Sequence, residues 1–185
     1  MDSKEKFSVY AQMLRDWSQR MNLVAPSTLN DIENRHIADS AQLVEYLPKD
    51  VEIFDFGSGA GFPGVVLAIL GWRVVCIESI GKKVAFLNAV REKLCLDNLT
   101  IYHGRLEDFL TKNVQKSREI IVTARAFAPL IKILDYVRGI KSRLFLLKGR
   151  EIESEIALAK KKYSFKYKLY PSKTGDGFII VIDYK

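Results

Sequence analysis

Histidine and cysteine are scarce in this chain, with two of each among 185 residues. His36 and His103 lie far apart, as do Cys76 and Cys95. Four residues so placed make no histidine cluster and no grouping with zinc-site spacing, so no metal is expected. No Ser-His-Asp constellation is recognisable either. The cysteines stand in a strand-like and a helix-like apolar run, which predicts buried thiols and no disulfide. No stretch of about 18 uninterrupted apolar residues occurs, so a membrane-spanning helix is not expected. The start, Met1-Asp2-Ser3-Lys4-Glu5-Lys6, is charged and leads into no apolar signal core. A cytoplasmic protein is expected.

What is present is an ordinary globular composition, 48% hydrophobic and 28% charged, in a chain long enough for one substantial core. Its net charge of +7 is unevenly spread. Residues 1–50 hold 6 Lys/Arg against 8 Asp/Glu, whereas residues 140–185 hold 11 against 5. A basic final third suits a polyanionic partner such as nucleic acid, and equally suits a lysine-rich solvated surface.

Phe7, Tyr10, Leu14, Trp17 and Met21 follow 3,4,3,4 spacing, which predicts a helix with one apolar face. A second helix is read from Leu29 to Leu47, closed by Pro48. Residues 1–50 are thus a helical prefix packed on a Rossmann-like domain over 51–185. From Val51 onward strands alternate with helices. Strands are read at Val51–Phe56, Trp72–Glu78, Leu99–Tyr102, Glu119–Thr123 and Arg143–Leu147. Helices are read at Pro63–Leu70, Gly81–Leu94, Pro129–Arg138 and Glu151–Lys162. That alternation predicts an α/β fold, a parallel sheet covered on both faces. Tyr163–Tyr170 and Gly177–Tyr184 add a terminal hairpin, so the seven-stranded sheet is mostly parallel with antiparallel strands at its end.

The most informative stretch joins the first strand to the helix after it: Asp55-Phe56-Gly57-Ser58-Gly59-Ala60-Gly61-Phe62-Pro63-Gly64. A strand, a glycine-rich turn and a helix start make a nucleotide-type cofactor site. Gly59 to Gly64 formally satisfies G-x-G-x-x-G, so an NAD(P)-dependent oxidoreductase has to be considered. Asp55 would bring negative charge towards a pyrophosphate, no second catalytic domain follows, and a terminal hairpin is unusual for a dinucleotide fold. A cofactor with a cationic sulfur and an amino-acid tail removes the electrostatic objection. Asp55 and the loop backbone then hold its amino group and carboxylate, and Glu78, ending the second strand, accepts from ribose hydroxyls. This arrangement resembles the Rossmann-like S-adenosylmethionine-dependent methyltransferases.

Further blocks narrow the resemblance. Asn34-Arg35-His36-Ile37-Ala38-Asp39-Ser40, the glycine loop and Glu78-Ser79-Ile80-Gly81-Lys82-Lys83 come first. Gly104-Arg105-Leu106-Glu107-Asp108-Phe109, Ala124-Arg125-Ala126-Phe127-Ala128 and Leu147-Lys148-Gly149 follow. Together, and in order over essentially the whole chain, they are similar to the small-subunit ribosomal RNA guanine-N7 methyltransferases, the glucose-inhibited division protein B family. The N-terminal helix is short for that family, and Asn34 stands where an acidic or aliphatic residue is more usual. The resemblance implies methyl transfer to N7 of a guanine in the decoding-region loop of 16S rRNA, yielding S-adenosylhomocysteine. It places the cofactor against Gly57, Phe62, Leu106, Glu107 and Arg125, beside Asp55, Gly59 and Glu78 read above.

Guanine N7 has a free lone pair and no proton to lose, so the reaction needs positioning rather than a general base. Arg125, with Lys148, is expected beside the transfer centre. Lys148 and Arg150, after strand ends where parallel sheets place ligands, are candidate RNA contacts with Arg35 and His36. Arg35, His36 and Asp39 fall within one helical turn, which either faces the substrate or fixes the prefix to the core. The partner is then 16S rRNA or the small ribosomal subunit, bound by a monomer. A non-catalytic RNA-binding ribosome assembly factor keeping the same fold is the remaining alternative.

Overall fold

The protein, seen in a computed structural model, is described at residues 1–115 and 118–185. Its centre is a seven-stranded sheet in the order β3-β2-β1-β4-β5-β7-β6. The strands are β1 (Glu52–Phe56), β2 (Arg73–Glu78), β3 (Leu99–His103), β4 (Ile120–Arg125), β5 (Ser142–Lys148), β6 (Lys166–Pro171) and β7 (Phe178–Tyr184). β1 to β5 pair in parallel, and β7 runs antiparallel to both β5 and β6. The central strands read as near-continuous apolar runs because both their faces are covered.

Alternation along each strand sends residues into two layers. Ile53, Val74, Cys76 and Phe145 join Val65, Leu67, Phe86 and Leu87 on one face, from α3 (Gly64–Ile69) and α4 (Gly81–Lys93). Phe54, Phe56, Leu144 and Leu146 pack on the other face. There they meet α5 (Leu106–Asn113), α6 (Leu130–Tyr136) and α7 (Ile152–Lys160). The sequence reading passed over α5. Its Leu106, Phe109 and Leu110 are buried at i, i+3 and i+4, but three apolar residues in a polar stretch make a faint periodic signal. Strands are added outward on one side from β1 to β3 and on the other from β4, and the crevice above such a switch of strand order is where open α/β sheets bind ligands.

The first residues join the first of these layers. α1 (Ser3–Ser18) begins at a capping box, in which Asp2 accepts from Glu5 N–H and the Glu5 carboxylate accepts from Asp2 N–H. Tyr10 and Leu14 are fully buried in the same core as Phe86, and the Tyr10 hydroxyl donates to the Ala60 carbonyl at 2.6 Å. The helix expected over Leu29–Leu47 is a chain of short turns instead. A 3-10 turn spans Pro26–Asp31, a widened π-type turn Glu33–Ala38, one α turn Asp39–Ala41 (α2), and a 3-10 turn Gln42–Glu45. Side chains compete for the backbone here, since Ser40 Oγ donates to the His36 carbonyl and Gln42 Nε2 to that of Asp39.

Cys76 is buried, whereas Cys95 is exposed, against the expectation for both, and both are free thiols. Cys95 has left-handed backbone, φ 50°, just past α4. Leu96 N–H reaches the Arg91 carbonyl and Cys95 N–H that of Glu92. This is the Schellman closure, whose first residue beyond the cap turns out of the apolar face.

The buried Tyr10–Ala60 bond ties α1 to the glycine loop. Tyr10→Phe leaves a buried carbonyl unpaired and should cost ~1–3 kcal/mol of stability, read as a lowered urea midpoint with unchanged slope. A variant as stable as the parent would show that this bond holds nothing.

Candidate active site

Asp55 is the last residue but one of β1 and is completely inaccessible. Its Oδ2 accepts from Gly64 N–H at 3.1 Å and Oδ1 from Thr123 Oγ1 at 3.4 Å. A Cβ on Gly64 would stand 2.6 Å from that Oδ2 and 2.5 Å from Cys76 Sγ, so only glycine lets the helix start sit on the carboxylate. Burial pushes the Asp55 pKa up to about 6, opposed by its hydrogen bonds. Asp55 thus holds the loop from beneath and presents no free oxygen at its surface. Phe62 is likewise internal, 6% exposed, between Tyr10 at 5.4 Å and His36 at 4.9 Å.

Four of the expected cofactor residues do converge. Gly57, Glu78, Leu106 and Glu107 line one cavity of about 290 Å³, with Ser79, Ile80 and Phe127. Gly57 has φ +66°, and a Cβ there would meet the Phe127 ring at 2.1 Å, so the loop passes under that ring as bare backbone. Glu78 accepts from Gly59 N–H at 2.9 Å through one oxygen and from Ile80 N–H at 2.8 Å through the other. A carboxylate has about four acceptor positions, so two backbone donors orient Glu78 and leave capacity for two hydroxyls. An open backbone cradle, an oriented acid and the apolar Leu106 beside Glu107 fit a nucleoside with vicinal hydroxyls.

A larger cavity of about 530 Å³ adjoins it, sharing Ala126 and Phe127. Arg125 lines it at the end of β4, as does Lys148 at the end of the neighbouring β5, with Arg35 and Asp39 from the prefix. Arg125 Nε pairs with Asp39 Oδ2 at 2.9 Å, and its two Nη groups reach His36 Nδ1 and the Arg35 carbonyl at 2.8 Å each. The basic groups expected to hold RNA divide sharply. His36 is 7% exposed and its second ring nitrogen meets Thr28 Oγ1 at 2.8 Å. The Lys148 ammonium donates to Glu155 at 2.6 Å and to the Ala128 carbonyl at 2.8 Å, with 9% of its side chain exposed. Arg35 is exposed, and Arg150 is exposed with a surface pairing to Asp176.

Sequence reasoning missed Phe127, which walls both cavities, and Ser172 and Thr174, which bring the β6–β7 loop to the larger one. Thr174 Oγ1 donates to Asp39 Oδ1 at 2.8 Å across 135 residues. No local pattern carries such a contact. The left-handed Ala126, φ 49°, which sets Phe127 in place, also left no trace in residue type. Among the described residues no group of three or more His, Cys, Asp or Glu can hold a metal ion. No helix there is long and apolar enough to cross a membrane.

A helical prefix, a glycine loop under a β1–β4 switch point and an acid ending β2 define the Rossmann-like S-adenosylmethionine-dependent methyltransferase class. The solved fold of an S-adenosylmethionine-dependent methyltransferase from Aquifex aeolicus agrees, with a TM-score of 0.61 at 14% identity over 99% of this chain and 98% of that one. Residues 3–174 match the GidB family, rRNA small subunit methyltransferase G, and the chain belongs to that family. The ribosomal RNA small subunit methyltransferase G of Dinoroseobacter shibae is 38% identical over 94% of this chain and 91% of its own length. That of Rickettsia prowazekii is 36% identical over 97% and 93%.

Two buried groups should leave opposite marks on stability. Burial, then the Arg125 charge, lower the His36 pKa to about 4, so the unfolded chain takes up this proton first. Stability from His36 is complete above its unfolded pKa and is lost as pH falls towards 4. Asp55, raised to about 6, is the reverse: the fold holds its proton longer, and stability falls as pH rises from about 4 to 6. Asp55→Asn should unmask the His36 slope. Between about pH 4 and pH 7 its stability should gain roughly 3 kcal/mol on the parent, two pKa units' worth. Urea titrations at both pH values check this, and a pH-independent difference would contradict it.

Proposed function

We propose that the protein transfers a methyl group from S-adenosylmethionine to N7 of a guanine in 16S rRNA. The observation that carries this is the pair of adjoining cavities. One is suited to a nucleoside cofactor, the other is larger and partly basic, and Ala126 and Phe127 are their common wall. Membership of the rRNA small subunit methyltransferase G family supplies the substrate class. The Glu78 carboxylate takes the ribose hydroxyls, Leu106 and Glu107 border the base, and the Gly57 backbone lets the chain approach closely. When bound, the cofactor supplies a methyl group on a cationic sulfur.

The protein's own part is positioning. An unstacked guanine enters the larger cavity, and N7 needs no base because it carries no proton. Positive charge moves from the donor to the purine ring, and Asp39, paired with Arg125, lies on that wall to offset it. Arg125 keeps unshared N–H groups to orient the purine or a neighbouring phosphate. Arg35 and Arg150, at or near the rim and exposed, meet RNA phosphates, which makes binding salt-sensitive. Lys148 acts through Glu155 to shape the pocket. In this reading a monomer works in the cytoplasm on 16S rRNA or the small subunit, and the prefix 1–50 is an integral part of the catalytic domain.

Incubation with methyl-labelled S-adenosylmethionine and undermethylated small subunits should label one guanine of 16S rRNA at N7. Label confined to protein or small metabolites would refute the assignment, and NAD(P) binding without S-adenosylmethionine binding would favour an oxidoreductase. A protein that binds rRNA and the cofactor but labels nothing would be an assembly factor. Gly57→Ala, strained at positive φ and driven into Phe127, should weaken S-adenosylmethionine binding roughly tenfold or more by calorimetry. Unchanged affinity in the folded variant would move the site elsewhere.

A further inference from the structure

His36 is not free to meet substrate, and its surroundings give it another task. A guanidinium donates only, so in the 2.8 Å contact with Arg125 Nη1 the His36 Nδ1 must accept. Nδ1 is therefore unprotonated and the remaining ring proton sits on Nε2, directed at Thr28 Oγ1 at 2.8 Å. The Thr28 hydroxyl in turn donates to the Ala25 carbonyl at 2.7 Å. The chain of donors runs one way, from Arg125 through His36 and Thr28 to the backbone, with no conflict at any step.

Packing fixes the ring as firmly as the hydrogen bonds do. The imidazole stacks on Phe62 at 4.9 Å with 22° between planes, and the Arg125 guanidinium lies 5.8 Å from the same Phe62 ring. Phe62 belongs to the glycine loop and rests on Tyr10, which holds Ala60 of that loop. The orientation of Arg125 is thereby referred to the loop that carries the cofactor. Asp39, His36 and the Arg35 carbonyl, all from the prefix, occupy three of the five guanidinium N–H groups.

We propose that His36, in its Nε2-protonated form, is a positioning residue that sets the plane of Arg125 against the glycine loop. This leaves two Arg125 N–H groups presented to the larger cavity. The widened turn over Glu33–Ala38 is the local device that allows it, since it puts the His36 ring, the Arg35 carbonyl and Asp39 on one guanidinium. The inference rests on the reading of Arg125 as a group beside the transferred methyl.

Two substitutions separate positioning from simple packing. His36→Asn keeps an acceptor oxygen on the γ carbon, where Nδ1 stood, whereas His36→Gln moves the amide one bond further and loses it. Single-turnover methylation of small subunits by His36→Gln should fall roughly tenfold, the loss expected of a charge-assisted bond. S-adenosylmethionine affinity should stay within about twofold of the parent, and His36→Asn should recover much of the rate. Equal loss in both variants, or a loss confined to cofactor affinity, would overturn the proposal. Arg125→Ala separates the two levels of the reading. If it methylates normally, the role of Arg125 is wrong, whereas a slow Arg125→Ala beside a normal His36→Gln sinks the positioning role alone. The unmodified protein supplies an independent check by nitrogen NMR, since only His36 and His103 need be told apart. The His36 proton should be found on Nε2 at neutral pH, and a proton on Nδ1 would overturn the proposal whatever the variants do.

Discussion

The carboxylate of Asp55 is the constraint from which the rest of the site is built. It lies one residue before the end of β1 with no exposure to solvent, accepts from the first N–H of α3, and touches β2 through Cys76 and β4 through Thr123. An ionisable group in that position is costly, and the fold offsets the cost by directing donors at it from the adjoining loop, helix and strands. The consequence is a glycine loop held from below and kept clear above. Gly64 closes on the carboxylate, and Gly57 passes beneath Phe127. A loop so supported keeps its shape before any ligand arrives, which is what a backbone cradle requires.

The prefix lines the candidate site along with the sheet, through Arg35 and Asp39. α1 secures the loop from behind through Tyr10, and the irregular turns after it supply His36 and Asp39 to Arg125. Asp39 also receives Thr174 from the β6–β7 loop, so one carboxylate joins residues near both ends of the chain at the wall of the larger cavity. The departure from helical geometry follows from side chains that compete for the backbone, Ser40 at the His36 carbonyl and Gln42 at that of Asp39.

Charge follows the same logic. A net charge of +7 suggests a broadly basic binding surface, yet two cations at the site have internal partners. Lys148 pairs with Glu155, and Arg125 gives one of its N–H groups to Asp39. These half-buried pairs hold their side chains in place, while Arg35 and Arg150 are exposed, Arg150 beside Asp176. Counting basic residues measures attraction to a polyanion. It does not say which of them point outward.

Much of this protein was legible in its residues alone. The alternation of apolar strands and helices prescribed the parallel sheet, because strands buried on both faces must be apolar throughout. The glycine loop after Asp55 and the acid ending β2 pointed to the crevice proposed for the cofactor, because a tight turn and close backbone approach leave their mark in residue type. Short-range chemistry of that kind is written in neighbouring residues. The tertiary structure alone decided that Asp55 and Phe62 lie under the loop, that His36 faces Arg125, and that Phe127 divides two cavities. It also decided that Leu106–Asn113 is a helix and that Cys95 turns outward. Each of these depends on partners tens of residues away or on a backbone angle that no residue type announces. A sequence records which groups can bond, and only the folded chain settles which of them meet.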